Sequence, residues 1–244
     1  MSEQQSHNDP VGAATLTVIS KADKFNRWMY ETIKPFLKGE ILEVGSGIGN
    51  ISKFLIPGEL PVTLSDYNLL YRDHLQKKYG HHKNVVSVIS IDLQDPAFEQ
   101  QYIRFKEKFD TIFMLNVIEH LANDVRAAEN CRFMLRTDGH LIILAPAYQF
   151  LYCHLDRELG HNRRYTLKRL SKIVLMAGLT ILKKQYFNSL GIAGWLVSGK
   201  IFRTRKLGKN EMSAFNKLVP VAKLCDKIIF NKAGLSAIVI AQKK

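Results

Sequence analysis

The sequence is short of acid in its second half. Residues 157–244 hold nineteen Lys and Arg but only Glu158, Glu211 and Asp226, a net charge of +16, whereas residues 1–156 come to −3. A near-neutral front half joined to a strongly basic back half implies an anionic partner for the back half. Cysteine is also scarce. Cys131, Cys153 and Cys225 stand far apart without a CxxC pair, which excludes a disulfide framework and a zinc ribbon and fits a reducing compartment. Apolar residues never run uninterrupted for the 18 or so positions of a membrane span. Met1–Pro10 is polar with no apolar core, so residues 1–19 are expected to be a flexible tail rather than a signal peptide.

What the sequence does have is a regular alternation of apolar runs and amphipathic stretches. Phe25, Trp28, Met29, Ile33 and Phe36 form one face of a helix that Ser20 can cap and that extends to about Leu37. Strands are expected at Glu40–Val44, Pro61–Ser65, Val85–Ile91, Thr111–Leu115 and His140–Ala145. Helices are expected from Asn50 to Pro57, Leu69 to Tyr79, Pro96 to Lys108 and Glu119 to Leu135, with a turn at Thr137–Gly139. Apolar strands alternating with helices imply a parallel sheet covered on both faces. Past Pro146 the rhythm changes. A polar-aromatic lid spans 147–166, then a helix over Thr166–Ala177, a strand over Leu179–Phe187, a basic helical insertion over 188–232 and a last strand over Leu235–Gln242.

The chemistry-bearing residues sit at strand ends. Gly45-Ser46-Gly47-Ile48-Gly49 follows the first strand and opens a helix, and glycines there let a ligand approach the backbone. Asp66 ends the second strand, 21 residues after Gly45, where a carboxylate can accept from two ribose hydroxyls. Asp92 ends the third strand and Asn116 the fourth. In the lid, His154, Asp156, His161 and Tyr165 stand beside Arg163 and Arg164. A histidine can take a proton from an oxygen or nitrogen nucleophile, and an arginine can clamp a carboxylate or phosphate. Equally, Asp156 can pair with either arginine and simply hold the lid closed. The spacing of His154, Asp156 and His161 matches no recognised metal pattern, so no metal is expected.

The run Ile41 to Gly49 resembles the first motif of class I S-adenosylmethionine (SAM)-dependent methyltransferases, and the resemblance extends over nearly all of residues 40–244. It implies a Rossmann-like seven-stranded α/β sheet with helices on both faces and an antiparallel last strand. It implies SAM as cofactor and S-adenosylhomocysteine as product. Glu43, Gly45, Ser46, Gly47, Gly49, Asp66, Tyr67, Asp92, Leu93, Asn116 and Val117 would hold the cofactor: Asp66 the ribose, Asp92 with Leu93 the adenine, Asn116 to His120 the methyl end, Glu43 the methionine amino group. Leu159-Gly160-His161-Asn162-Arg163-Arg164-Tyr165 resembles a subgroup with an LGHxRRY segment, which also carries Asn188, Gly191, Gly194, Trp195 and Gly234-Leu235-Ser236. On this reading His161, Tyr165 and His120 are catalytic candidates, although His120 can also serve only to cap its helix. His154, Arg163 and Arg164 face an anionic or amphiphilic acceptor that is a small molecule or linked to a lipid or glycan.

Two other functions stay open. One is an RNA methyltransferase, suggested by the net charge of +13. Against it, Asn116-Val117-Ile118-Glu119 lacks the Pro-Pro-aromatic run with which base-amino methyltransferases stack a flipped base, so nucleic acid is not the expected partner. The other is a non-catalytic protein that keeps the SAM-binding fold only as a binding module or scaffold, for which Asp66 and Asp92 would have no use. Trp195 and nearby apolar residues, followed by Arg203, Arg205, Lys206 and Lys209, have the composition of an interfacial segment. A cytoplasmic protein is expected, with peripheral contact to an anionic inner membrane surface as a further option.

Overall fold

A computed structural model of the chain describes residues 9–197 and 208–244. The elements in order are α1 (Pro10–Ser20), α2 (Asp23–Ile33), β1 (Ile41–Val44), α3 (Ser52–Leu55), β2 (Val62–Ser65), α4 (Leu69–Tyr79), β3 (Val85–Ile89), α5 (Phe98–Gln101), β4 (Phe109–Leu115), α6 (Asp124–Met134), β5 (Leu135–Pro146), α7 (His154–Glu158), α8 (Leu167–Met176), β6 (Thr180–Phe187), α9 (Leu190–Trp195), α10 (Lys209–Ile228) and β7 (Ser236–Gln242). The strands form one sheet in the order β3-β2-β1-β4-β5-β7-β6. β1 to β5 pair in parallel, and β7 runs antiparallel to both β5 and β6.

The inner strands are largely apolar on both sides because both sides are covered, whereas the edge strand β6 exposes Lys183 and Lys184. Leu42, Val44, Ile112, Met114, Leu141 and Ile143 point to one face, where Phe98, Ala127, Cys131, Leu170 and Val174 from α5, α6 and α8 close over them. The alternate residues Ile41, Phe113, Ile142 and Leu144 point to the other face, under Trp28, Met29 and Ile33 of α2, Leu75 of α4, and Val219 and Ala222 of α10. Period-two alternation along each strand thus separates two cores. Helix starts follow side-chain caps: Asn68 accepts from Leu70 N (2.9 Å), Asn123 from Arg126 N (3.0 Å) and Thr166 from Arg169 N (3.2 Å).

Four expectations need correction. The tail assigned to 1–19 is helical from Pro10 onward. Asp9 caps the helix by accepting from Gly12 N (2.8 Å), Pro10 takes the first helical turn, and Val18 packs with Ala22 and Met212. The helix expected over Pro96–Lys108 breaks into α5 and a 3-10 turn at Ile103–Phe105, since Phe98, Tyr102 and Phe105 must all reach the core. The helix expected from Glu119 begins at Asp124, because Ile118–His120 form a separate 3-10 turn. The turn at Thr137–Gly139 lies within β5; Asp138 takes a positive φ of 63°, while its N–H and the Gly139 carbonyl pair with Lys243. Arg203, Arg205 and Lys206 lie outside the described residues.

Candidate active site

Sheet order reverses between β1 and β4, and the loops that leave the carboxyl ends of those strands diverge there to leave a crevice. The glycine loop fills one side. Gly45, Gly47 and Gly49 all adopt positive φ (71°, 55° and 81°), which glycine reaches without strain. A Cβ on Gly45 would lie 2.4 Å from a methyl of Val117, and one on Gly49 would lie 2.4 Å from the Tyr79 ring. The loop is fastened from below: Ser46 N donates to Ser65 O (2.8 Å), and Gly47 N donates to the Asp66 carboxylate (2.8 Å). Asp66 also accepts from Asn68 N (2.9 Å), and burial raises its pKa against those two bonds. Its carbonyl and that of Tyr67 accept from Arg72 (2.9 and 2.7 Å). Asp66 is therefore aimed at the loop before any ligand arrives.

Glu43 is buried at the end of β1, where its carboxyl accepts from Ser52 Oγ at 2.5 Å. Burial pushes its pKa up to about 8 despite the serine hydrogen bonds. A cation brought near would draw it into the ionised form. Asp92 accepts from Gln94 N (2.8 Å) and its N–H donates to the Tyr102 hydroxyl (3.0 Å). Leu93 is 3% exposed and packs in the core, so its side chain supports this loop from behind rather than lining it. Asn116 is exposed at φ 56°, with its N–H on Leu144 O (2.8 Å), and Val117 touches Gly45. The crevice thus gathers Gly45, Ser46, Gly47, Gly49, Asp66, Asn116 and Val117, with Glu43 beneath.

The lid is held by one carboxylate. Asp156 takes both arms of Arg164 (Nε–Oδ1 and Nη2–Oδ2, each 2.9 Å), the Cys153 N–H (2.9 Å) and His161 Nδ1 (2.8 Å). Burial opposes its ionisation, yet the hydrogen bonds from His161 and Arg164 win and hold its pKa below the usual carboxylate range. Three candidates from the sequence are thereby reassigned. Arg164 is buried, and its guanidinium, stacked 4.5 Å from the Trp195 ring, is spent on Asp156 and Ala147 O; it is a strut, not an acceptor clamp. Tyr165 is wholly buried with its hydroxyl 3.1 Å from Ile118 O and 3.3 Å from Asp124, and burial raises its pKa, so it cannot reach a substrate. Arg163 binds Asp124 (2.9 Å) and Ala122 O (3.0 Å) and ties the lid to the start of α6. His154 is exposed at the first residue of α7.

His161 and His120 do come together, ring edge to ring face with centroids 4.8 Å apart. Surrounding protein desolvates His120, and His161 adds to the effect, so its pKa falls to about 4 even though part of its surface meets solvent. Beside the pair lies Glu119, fully buried, its pKa raised by burial to about 7. The sequence motif placed Glu119 in the segment at the methyl end but gave its carboxylate no role of its own. The available signal was its neighbour His120, since the tight 3-10 turn at 118–120 turns both side chains toward the lid. A groove of about 600 Å³ between α8 and β6, lined by Lys168, Ser171, Lys172, Leu175, Met176 and Lys184, takes none of these residues.

Comparison with known proteins agrees with this geometry. Residues 42–141 match a family described as a methyltransferase domain. A 139-residue stretch is 26% identical to polyketide synthase 40 of Dictyostelium discoideum, covering 49% of this chain but only 5% of that protein. A SAM-dependent methyltransferase from Archaeoglobus fulgidus superposes with TM-score 0.57 at 13% identity, over 89% of this chain and 94% of that one. A Haemonchus contortus phosphoethanolamine N-methyltransferase 2, solved with SAM, gives TM-score 0.58 at 17% identity over 89% of this chain and 52% of the other. Structural likeness at such identity is a likeness of fold. The chain shares the fold of SAM-dependent methyltransferases, and the residues that match the methyltransferase-domain family, 42–141, carry the glycine loop and the acids at successive strand ends.

Proposed function

We propose that the protein methylates an oxygen or nitrogen of a small-molecule or lipid- or glycan-linked acceptor. The observation that carries this reading is the juxtaposition of Val117, in contact with Gly45 of the cofactor loop, and the Glu119–His120–His161 recess two residues further on. Bound SAM supplies a methyl group already activated on a sulfonium sulfur. The chain's residues then have to hold, orient and dry the site. Asp66 is placed for the ribose hydroxyls, Asp92 for the adenine side, and Glu43 for the methionine ammonium. The lid, fastened by Asp156 and Arg164, covers the Glu119 side of the recess, while His120 stays open to solvent. His161, with Nδ1 engaged by Asp156, keeps Nε2 turned to the recess, where the acceptor would lie. Isothermal titration with SAM and with NAD tests the cofactor: SAM should bind and NAD should not. Extracts incubated with the protein and isotope-labelled SAM, read by mass spectrometry, should yield a labelled small molecule or lipid rather than labelled RNA. Labelled RNA would replace this reading with the nucleic-acid one.

A membrane-linked acceptor has its own support. Along α10, Leu218, Val221, Leu224 and Ile228 form an exposed stripe, 48–66% open, while Val219 and Ala222 on the opposite face pack inward. Lys217, Lys227 and Lys232 are exposed around the stripe. An apolar stripe rimmed by lysine suits an anionic bilayer, to which each lysine contributes about 1 kcal/mol. The protein should co-sediment with anionic vesicles at low salt, less so at high salt, and Leu224→Asp with Ile228→Asp should abolish it. Equal recovery in the supernatant with neutral and anionic vesicles would leave α10 a simple cap.

A further inference from the structure

Resting on the methyltransferase reading, we propose that Glu119, His120 and His161 form a divalent metal site beside the cofactor loop. Their candidate ligand atoms all lie within 4.8 Å of one another. Three features set this cluster apart from a chance meeting of polar groups.

First, both carboxylate oxygens of Glu119 are buried and have no hydrogen-bond partner. A buried carboxylate without partners is costly, and such orphans call for an unseen cation, proton or water. His161 Nε2 stands 4.0 Å from Oε1, too far for a hydrogen bond. That separation is about 0.7 Å beyond the edge of about 3.3 Å that two bonds of about 2.0 Å span around a tetrahedral ion, so the side chains have to draw together when an ion binds.

Second, His161 is arranged as metal-binding histidines are. Asp156 holds Nδ1 at 2.8 Å and is itself kept ionised by the paired bonds from Arg164. An acceptor on Nδ1 fixes the proton there, which leaves the Nε2 lone pair turned toward Glu119. Asn162 adds rigidity: its N–H donates to Glu119 O (2.7 Å) and its amide to His120 O (2.9 Å), so the lid segment carrying His161 is tied to the backbone of the other two ligands.

Third, the donor set is specific. Two imidazoles and one carboxylate suit Zn²⁺, Mn²⁺ or Fe²⁺ rather than Mg²⁺ or Ca²⁺, and three protein ligands leave coordination positions for water or substrate. An acceptor hydroxyl in one of those positions would be both oriented and made more acidic. This narrows the acceptor to one presenting an oxygen as metal ligand.

The test uses the full chain, stripped with chelator and dialysed, titrated calorimetrically with Zn²⁺ and with Mn²⁺, and loaded with Co²⁺ for visible absorption. The wild type should take up one ion per chain, with Co²⁺ bands that report imidazole ligation. Glu119→Gln and His120→Ala should each weaken uptake at least tenfold while SAM still binds, which also certifies their folding. The double variant His81→Ala, His82→Ala, at a surface pair elsewhere in the chain, should bind as the wild type does. Absence of saturable one-to-one uptake in the wild type would overturn the proposal. So would undiminished uptake in Glu119→Gln, or its loss in the His81, His82 variant. A wild type that binds SAM but no metal sinks this inference alone, whereas failure to bind SAM sinks the reading beneath it.

Discussion

At the scale of single residues, the site separates groups aimed outward from groups consumed in holding the fold. Asp66 belongs to the first group in the proposed reading, although both its oxygens also brace the backbone of Gly47 and Asn68. Asp66→Ala should weaken SAM binding by about 1.5–3 kcal/mol, the range for hydrogen bonds to a charged group, as read by calorimetry; unchanged affinity would remove it from the ribose role. Tyr165 is consumed. Tyr165→Phe removes one of two donors to Ile118 O, which keeps Leu121 N, and should cost about 0.5–1.5 kcal/mol of stability, seen in denaturant melts, with turnover unchanged once the protein is folded. Arg164 and Tyr165 could not be told from catalytic groups in the sequence, because only the fold decides what an LGHxRRY segment turns inward. Gly160, at φ 74°, makes the turn that brings His161 and Arg164 back onto Asp156. By contrast Asp66 and Asn116 were legible, since a strand end after an apolar run fixes a position in a parallel sheet without knowledge of side-chain packing.

Among the elements, the strands were read to within a residue or two, apart from the longer β5, because burial on both faces leaves an unbroken apolar run bounded by polar residues. The helices were less legible where local pattern and tertiary demand diverge. α1 is the clearest case: its sequence Pro10–Ser20 has no strong apolar face, and its readable signal is the Asp9-Pro10 start alone. α2 is the opposite case, with the Trp28 ring tilted against Phe187 of β6 at 4.2 Å and Phe25 edge-on to Phe215 of α10 at 5.6 Å. Trp28→Ala should destabilise by about 3–5 kcal/mol through lost burial and the cavity left behind, measured by chemical denaturation. α10 is anchored at its end by Asp226, which accepts from Asn188 N (2.7 Å), Ser189 N (2.7 Å) and Ser189 Oγ (2.6 Å). One carboxylate therefore ties the basic insertion to the end of β6, an arrangement no periodicity could reveal.

For the molecule as a whole, Glu43 links cofactor, pH and stability. Its pKa is about 8 in the folded chain and near 4.5 when unfolded. Between those values the folded state holds a proton that the unfolded state has lost, so stability falls as pH rises through that window. Glu43→Gln should flatten this slope in thermal melts from pH 5 to 8. If SAM places its ammonium near Glu43, binding at pH 7 should release a proton, visible as a buffer-dependent enthalpy; an enthalpy independent of buffer would place the ammonium elsewhere. The same economy of contacts extends to α1. Leu16 would meet a Cβ on Gly47 at 3.1 Å, its carbonyl accepts from Asn50, and Tyr71 reaches Asp9 at 3.0 Å. The amino-terminal helix therefore rests on the glycine loop proposed for the cofactor, and on that proposal occupancy of the loop and order of the helix are reciprocally coupled. Amide hydrogen exchange across residues 10–20 should slow when S-adenosylhomocysteine binds, and Leu16→Asp should shorten the product's residence time. Faster exchange on binding would instead make α1 a competitor for the loop. Where turnover is limited by how long spent product lingers, its ceiling is then set by the breathing of eleven residues at one end of the chain.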